Sequence, residues 1–258
     1  MNKGSIAKMR FQLLSDVHLR NGAYELVVAP GADVLLVAGD VGAVRESPMR
    51  DFLARAAARP EYRHVVFVKG NHELFGSTME ETDALLAAMA RTVPTLVVLN
   101  RSAFDVPGTD IRIAGCTLWS RVSDAQRRRV VSEVGDFARI RGWTLEKRHR
   151  EHERDVDFVV DAMGAAVRDG KRLLLMTHHA PVLRVGSATA HLAGPHTSSY
   201  ECDLERLLVS PVVAAVFGHT HFSTEITLPN GVRLFSNQRG RADDVENDAF
   251  RDDFTFEV

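Results

Sequence analysis

Five short apolar runs in this chain each stop in a polar group of the same kind. No other feature constrains the fold as much. Met9–Ser15 (MRFQLLS) leads into Asp16-Val17-His18, and Asp33–Ala38 (DVLLVA) into Gly39-Asp40-Val41-Gly42. His64–Lys69 (HVVFVK) leads into Gly70-Asn71-His72-Glu73, and Arg172–Thr177 (RLLLMT) into His178-His179-Ala180-Pro181. Val212–Phe217 (VVAAVF) leads into Gly218-His219-Thr220-His221. The runs are short, β-branched and nearly continuous, the pattern of strands buried on both faces. Helical patterns lie between them. Pro48–Arg59 is rich in Ala and Arg, and Ser77–Thr92 opens on Ser77 with Glu80 three residues on, a capping-box signal. Strand–helix–strand alternation predicts an α/β fold. Ligands of open α/β sheets bind beyond the carboxyl ends of the strands. Five strand ends carrying Asp, Asn and His are therefore expected to meet in one crevice.

The remaining chain supports that framework. Thr95–Asn100 and Ile111–Leu118 read as strands, with Pro107-Gly108 as a turn between them. Residues 121–170 are charged and helical in pattern. Gly186–Tyr200 is small and polar and reads as a loop, with Cys202–Val209 a short helix after it. Ser223–Leu228 and Val232–Ser236 flank Pro229-Asn230-Gly231 as a hairpin, and Phe254–Val258 reads as a last strand. No internal repeat or linker-like stretch is evident, so residues 1–258 are expected to form one domain.

Composition narrows the chemistry. The chain has 258 residues and a formal charge of -2, so whole-chain basicity does not point to nucleic acid. No apolar run approaches the roughly 18 residues of a membrane span. Met1–Arg10 has no apolar core of a signal peptide, so a cytoplasmic location is expected and no membrane partner. Two cysteines, Cys116 and Cys202, exclude a disulfide scaffold and a Cys-rich zinc module. Eleven histidines remain. A metal site here must be built from His, Asp, Glu and Asn, a donor set suited to Mn, Fe, Zn or Co.

The spacing within the motifs fits shared ligation. Asp16 and His18 are two apart, as are His219 and His221, so in extended chain each pair points to one side. The glycines before Asp40, Asn71 and His219 suit sharp turns out of a strand. Singly, each of these groups could be plain turn chemistry. Five together, each at a strand end, favour a site.

The ordered series DVH, GDVG, GNHE, HHAP, GHTH resembles the calcineurin-like metallophosphoesterases and spans residues 16–221. The resemblance implies a four-layer αββα sandwich of two mixed β-sheets flanked by helices. It implies two divalent ions about 3.5 Å apart, manganese first, with Fe, Zn, Co or Ni as alternatives. On the matching positions, Asp16, His18 and His221 hold one ion, Asn71, His178 and His219 the other, and Asp40 bridges them. His178 is taken as the ligand because it directly follows the strand, although His179-Ala180-Pro181 has the H-x-P spacing. His72 matches a histidine that contacts the phosphoryl group, so Asp40 and His72 are the expected catalytic residues. Asn71, His72, His179 and Arg239 are placed on the substrate side, with plain packing as the alternative for His179.

The implied reaction is hydrolysis of a phosphomonoester or phosphodiester by a metal-bridging hydroxide, with a small phosphorylated molecule as substrate. Glu73 and backbone carbonyls are candidate acceptors for the second nitrogens of the ligand histidines. Weaker matches, Asp136–Arg141, Cys202–Glu205 and Asn237–Gly240, resemble a bacterial subgroup of small members and offer Arg139 or Arg239 for the phosphate pocket. Ala43-Val44-Arg45 stands where protein phosphatases continue with Asp-Arg-Gly, which argues against that branch. The rival readings are a nuclease on the same fold, which should carry a basic groove, and a non-catalytic binding module. The arginine-rich run from Arg121 to Arg154 has interspersed acids and reads as a solvated helical face. His191 and His196 are expected to be solvated loop residues.

Overall fold

The computed structural model describes residues 9–184, 194–241 and 249–258. Among the described residues, eleven strands form two sheets. The first contains β1 (Arg10–Leu14), β2 (Val34–Val37), β3 (His64–Val68), β4 (Leu96–Leu99) and β11 (Thr255–Glu257), in the order β11-β1-β2-β3-β4. β1 to β4 are parallel and β11 runs antiparallel to β1. The second contains β5 (Ser102–Asp105), β6 (Ile111–Cys116), β7 (Arg172–Thr177), β8 (Val212–Phe217), β9 (Thr224–Thr227) and β10 (Arg233–Ser236), in the order β5-β6-β7-β8-β10-β9. Its centre, β6-β7-β8-β10, is parallel, and β5 and β9 close its edges antiparallel.

Alternation along the strands builds the layers. On β2, Val34 and Leu36 face the shared core between the sheets, whereas Leu35 and Val37 face outward. On β7, Leu174 and Met176 join that core while Leu173 and Leu175 turn away. The outward side of the first sheet is covered by Met49, Phe52 and Leu53 of α1 (Ser47–Ala57) and Leu86 of α2 (Met79–Thr92). The outward side of the second is covered by Val159, Ala162 and Ala166 of α5 (Leu145–Arg168), spaced three and four apart on one helical face. Both faces of both sheets are thus buried, giving the expected two mixed sheets flanked by helices.

Local details differ from the sequence reading. The cap of α2 is Thr78 rather than Ser77: Thr78 Oγ1 accepts from the Glu81 N–H at 3.2 Å. Ser77 instead donates to the Glu81 carboxylate. The charged 121–170 stretch breaks into α3 (Arg127–Glu133), α4 (Asp136–Arg139) and α5. Gly142, at φ +66°, ends the short pieces, and Thr144 caps α5 through the Lys147 N–H. Residues 202–209 yield only a 3-10 turn, Glu205–Leu207. No helix among the described residues is long and apolar enough to cross a membrane.

Candidate metal centre

The carboxyl ends of β1, β2 and β3 in one sheet and of β7 and β8 in the other open into the same place. Asp16, His18, Asp40, His219 and His221 all have left-handed backbones, with φ of 54°, 47°, 55°, 72° and 52°. The pairs two apart therefore do not reach a common centre through extended chain, as their spacing alone suggests. They reach it by turning sharply out of the strand. Asp and His are among the residues that tolerate this region best. Each turn is held by hydrogen bonds from a neighbouring motif: Asp16 N–H donates to Gly39 O at 3.0 Å and His18 N–H to Asp40 O at 3.0 Å.

Three sets of ligand-type atoms result: Asp16 with His18 and His221, His18 with Asp40 and His72, and Asp40 with His178 and His219. Within each set the atoms lie within 4.8 Å of one another. His18 Nε2 and His221 Nε2 are 2.8 Å apart, and Asp16 Oδ1 is 3.8 and 3.5 Å from them. Asp40 faces both ways. Its Oδ1 is 3.3 Å from His178 Nε2, and its Oδ2 is 4.0 Å from His18 Nε2 and 3.7 Å from His72 Nε2. Asn71 Oδ1 lies 3.1 Å from His178 Nε2. All seven residues expected as ligands are brought together, and His72 sits beside them.

The electrostatics favour a cation here. Burial pushes His18 down to about 3, so near neutrality its lone pair is free. His219 is likewise held well below its usual range by burial and by His178. Burial opposes charge on His178, but Asp40 and Asp16 outweigh it and raise the imidazole to about 9. Burial would also lift the two carboxyls. The surrounding imidazoles overcome it, bringing Asp16 to about 2 and Asp40 well below the usual carboxylate range. Two buried carboxylates, an amide oxygen and imidazole nitrogens turned towards one another form a donor set that divalent ions satisfy. Such an arrangement is poorly satisfied by hydrogen bonds alone, since two facing imidazole nitrogens need a proton or a metal between them.

Behind the ligands lies a hydrogen-bonded shell. The buried Glu73 carboxylate accepts from the backbone N–H groups of Asp40 (3.0 Å), Val41 (2.8 Å), Gly42 (3.2 Å) and Gly70 (2.6 Å). Glu73 thus fixes the turns carrying Asp40 and Asn71 and holds no imidazole; His178 Nδ1 meets the carbonyl of Ala38 at 2.8 Å instead. Gln238 accepts from His221 N–H at 2.6 Å, and both Asp16 oxygens face His219 N–H at 3.0 and 3.2 Å. The glycines are required by close approach. A Cβ on Gly70 would fall on Asp40 Oδ1, and one on Gly218 on Ser15 Oγ.

A cavity of about 790 Å³ opens over this cluster, with His18, Asn71 and His72 at its base and Arg20, Arg139, Arg241 and His196 among its lining. Two substrate-side expectations are corrected. Arg239 does not line the cavity, because its guanidinium donates to the carbonyls of Val17 (2.7 Å) and Ala23 (3.2 Å) and stacks on Tyr24. His179 is fully buried behind the cluster, packed on His219 at 4.0 Å and Trp119 at 5.2 Å. Its neighbour His178 takes the place at the ligands. His196, expected to be solvated, meets Glu133 at 2.8 Å on the cavity wall. His191 lies outside the described residues. Trp119 and Trp143 pack on each other in the core and line no part of the cavity.

Two residues have roles that their motifs do not announce: Asp136 stands in the sequence only as the start of a weaker match, and Arg148 only within the run that reads as a solvated face, an expectation its full burial corrects. Asp136 donates no ligand, yet its Oδ1 accepts from Asn71 Nδ2 at 2.7 Å. Arg148, fully buried, meets Asp136 Oδ2 at 3.0 Å. The available signal was the buried stripe of α5, where Arg148, Glu151 and Asp155 fall in line with Val159, Ala162 and Ala166.

The model of the calcineurin-like phosphoesterase family matches residues 9–223. A curated relative, an uncharacterized protein of Acanthamoeba polyphaga mimivirus, is 23% identical over 83% of this chain and 80% of its own. Among solved structures, a phosphopantetheinyl hydrolase of Mycobacterium tuberculosis superposes with a TM-score of 0.70 at 20% identity, covering 98% of this chain and 97% of that one. A dimetal phosphatase of Danio rerio superposes at 0.52 with 15% identity, covering 89% and 87%.

Proposed function

The chain belongs to the calcineurin-like phosphoesterase family, and from that premise we propose that it is a two-metal hydrolase of small phosphoric esters, mono- or diester, with manganese as the first metal to test. The observation that carries this reading is Asp40, whose two oxygens face different ligand clusters, one towards His178 and the other towards His18. A carboxylate so shared suits two ions held side by side. Asp16, His18 and His221 would hold one, and Asn71, His178 and His219 the other. When bound, the ions supply positive charge for the phosphoryl oxygens and a water of lowered pKa.

The protein's own groups complete the chemistry. His72 stands at the cavity base with its ring on Phe75, 4.3 Å between centroids. Its backbone N–H donates to Asp40 Oδ1 at 2.9 Å, which fixes its position relative to the bridging carboxylate. From there Nε2 can donate to a phosphoryl or leaving-group oxygen as charge develops. Arg20, Arg139 and Arg241 stand in the cavity wall together with Glu133 and Asp136, and the arginines are the groups that can meet an anionic substrate. The near-neutral chain does not favour a nucleic-acid substrate. Similarity to a phosphopantetheinyl hydrolase across nearly the whole chain puts a phosphopantetheinyl ester among the substrates to test.

The test is a manganese-supplemented screen of p-nitrophenyl phosphate, bis-p-nitrophenyl phosphate and a phosphopantetheinyl ester. Metal-dependent turnover of at least one is expected. Protein that carries two ions and hydrolyses none of them would count for a binding module instead.

A further inference from the structure

We infer that Arg148 and Asp136 are positioning residues that set which end of the Asn71 side chain faces the second metal position. This rests on the two-metal reading above and concerns residues outside its ligand set.

An asparagine amide presents oxygen at one end and NH2 at the other, and only the oxygen can bind a cation. Asn71 Oδ1 points to His178 Nε2, while Nδ2 points away and donates to Asp136 Oδ1 at 2.7 Å. An ionised carboxylate only accepts, so it forces the NH2 end towards itself and the oxygen towards the cluster. Asp136 is itself buried, at 2% exposure, so its second oxygen also needs a partner. Arg148 provides it through Nη1 to Asp136 Oδ2 at 3.0 Å.

Arg148 is at 0% exposure, and its planar fork makes further contacts that fix its own orientation. Nε donates to Ser120 O at 3.1 Å, and Nη2 meets Ser120 Oγ at 2.8 Å, Ser199 O at 2.7 Å and His179 Nε2 at 3.2 Å. Ser199 O also lies 3.3 Å from His219 Nε2, and the His179 ring packs on His219. One guanidinium therefore supports Asn71 through Asp136, and His219 through Ser199 and His179. These contacts all fall on the second cluster. Asp16, His18 and His221 are braced by other groups, Ser15 and Gln238 among them.

The substitution Asp136→Asn tests the relay with little change of shape. The new amide must turn its oxygen to Arg148, because its NH2 would oppose the guanidinium. That leaves an NH2 facing Asn71, so Asn71 inverts and offers its own NH2 to the metal position. Combining Asn71→Asp with Asp136→Asn exchanges carboxylate and amide. An oxygen again faces the metal, and the total charge is unchanged.

Manganese titration of the metal-free protein by calorimetry, with electron paramagnetic resonance to separate single from paired ions, reads both sites without turnover. Wild type should bind two ions. Asp136→Asn should keep the first near its wild-type affinity and weaken the second by roughly 10- to 100-fold, as for other outer-shell losses. The double variant should regain much of that loss. Unchanged affinity for the second ion in Asp136→Asn, equal loss at both sites, or a double variant no better than the single would overturn the proposal. Wild-type protein that binds fewer than two ions would overturn the two-metal reading, and this inference with it.

Discussion

Replacing His72 with alanine separates chemistry from metal binding, because the structure divides the two functions of this residue between backbone and side chain. The hydrogen bond that ties residue 72 to the centre runs from its backbone N–H to Asp40 Oδ1, and alanine keeps it. The imidazole touches the edge of His18 at 4.5 Å and lies on Phe75, so its removal opens the cavity wall without removing any expected ligand. Both ions should remain.

The loss should fall on turnover. A positioned proton donor or oxyanion partner contributes about 10²- to 10⁴-fold, or roughly 3 to 5 kcal/mol of transition-state stabilisation. Burial lowers the His72 imidazole below its usual range, against the opposing charge of Asp40. The residue is thus largely neutral near pH 7 in the free protein. A neutral ring can only donate a hydrogen bond; proton transfer to a leaving group needs the imidazolium, which the negative charge of a bound phosphoric ester favours. The loss should be larger for an alkyl phosphate, whose leaving group needs a proton, than for p-nitrophenyl phosphate, whose leaving group does not. The assay is kcat/KM on both esters at saturating manganese, with elemental analysis of the same samples. Wild-type kcat/KM on both substrates, with two ions per chain, would refute the argument. An equal loss on the two esters would refute proton donation and leave charge stabilisation.

Other outcomes follow from the same geometry. Asp40→Asn should weaken both ions rather than one, read by elemental analysis after dialysis, since a neutral amide can turn its oxygen to only one cluster. Gly70→Ala should destabilise by about 1–3 kcal/mol or more, because the added methyl meets Asp40 Oδ1 and, at 2.6 Å, the His178 ring; melting temperature and metal content should fall together. Chelation should lower the melting temperature reversibly. At 1,000 times Kd a bound ion is worth about 4 kcal/mol, and chains of this size lose roughly 2–4 °C per kcal/mol. A chelator-insensitive melt would deny that the cluster holds metal in solution.

What could be read from the sequence divides along physical lines. The strands ending in Asp16, Asp40, Asn71, His178 and His219 were visible because burial on both faces leaves a continuous apolar run. The ligand cluster was visible because each strand end carries chemistry unusual for a plain turn. Arg239 and His179 were misplaced because a motif gives order along the chain and not direction in space. Arg239 is spent on the carbonyls of Val17 and Ala23, and His179 turns into the protein beside Trp119. Arg148 was hidden for the opposite reason. It lies in a helix dense with exposed charge, and its burial depends on Asp136, twelve residues earlier on a separate short helix.

The left-handed turns explain why the motifs at Asp16, Asp40 and His219 act as one unit. A non-glycine residue in this region carries strain of about 1–3 kcal/mol, and five such residues stand here. Strain of that kind persists only where the surroundings over-determine it, and here each motif restrains another. His18 N–H bonds to Asp40 O, Asp40 N–H to Glu73, His219 N–H to Asp16 and His221 N–H to Gln238. Residues from both sheets enter this closed set, so the centre cannot form until the sheets have packed. Once packed, a change in one motif is passed to the others through these bonds. The turns that carry the ligand side chains are thereby braced by hydrogen bonds within the protein itself.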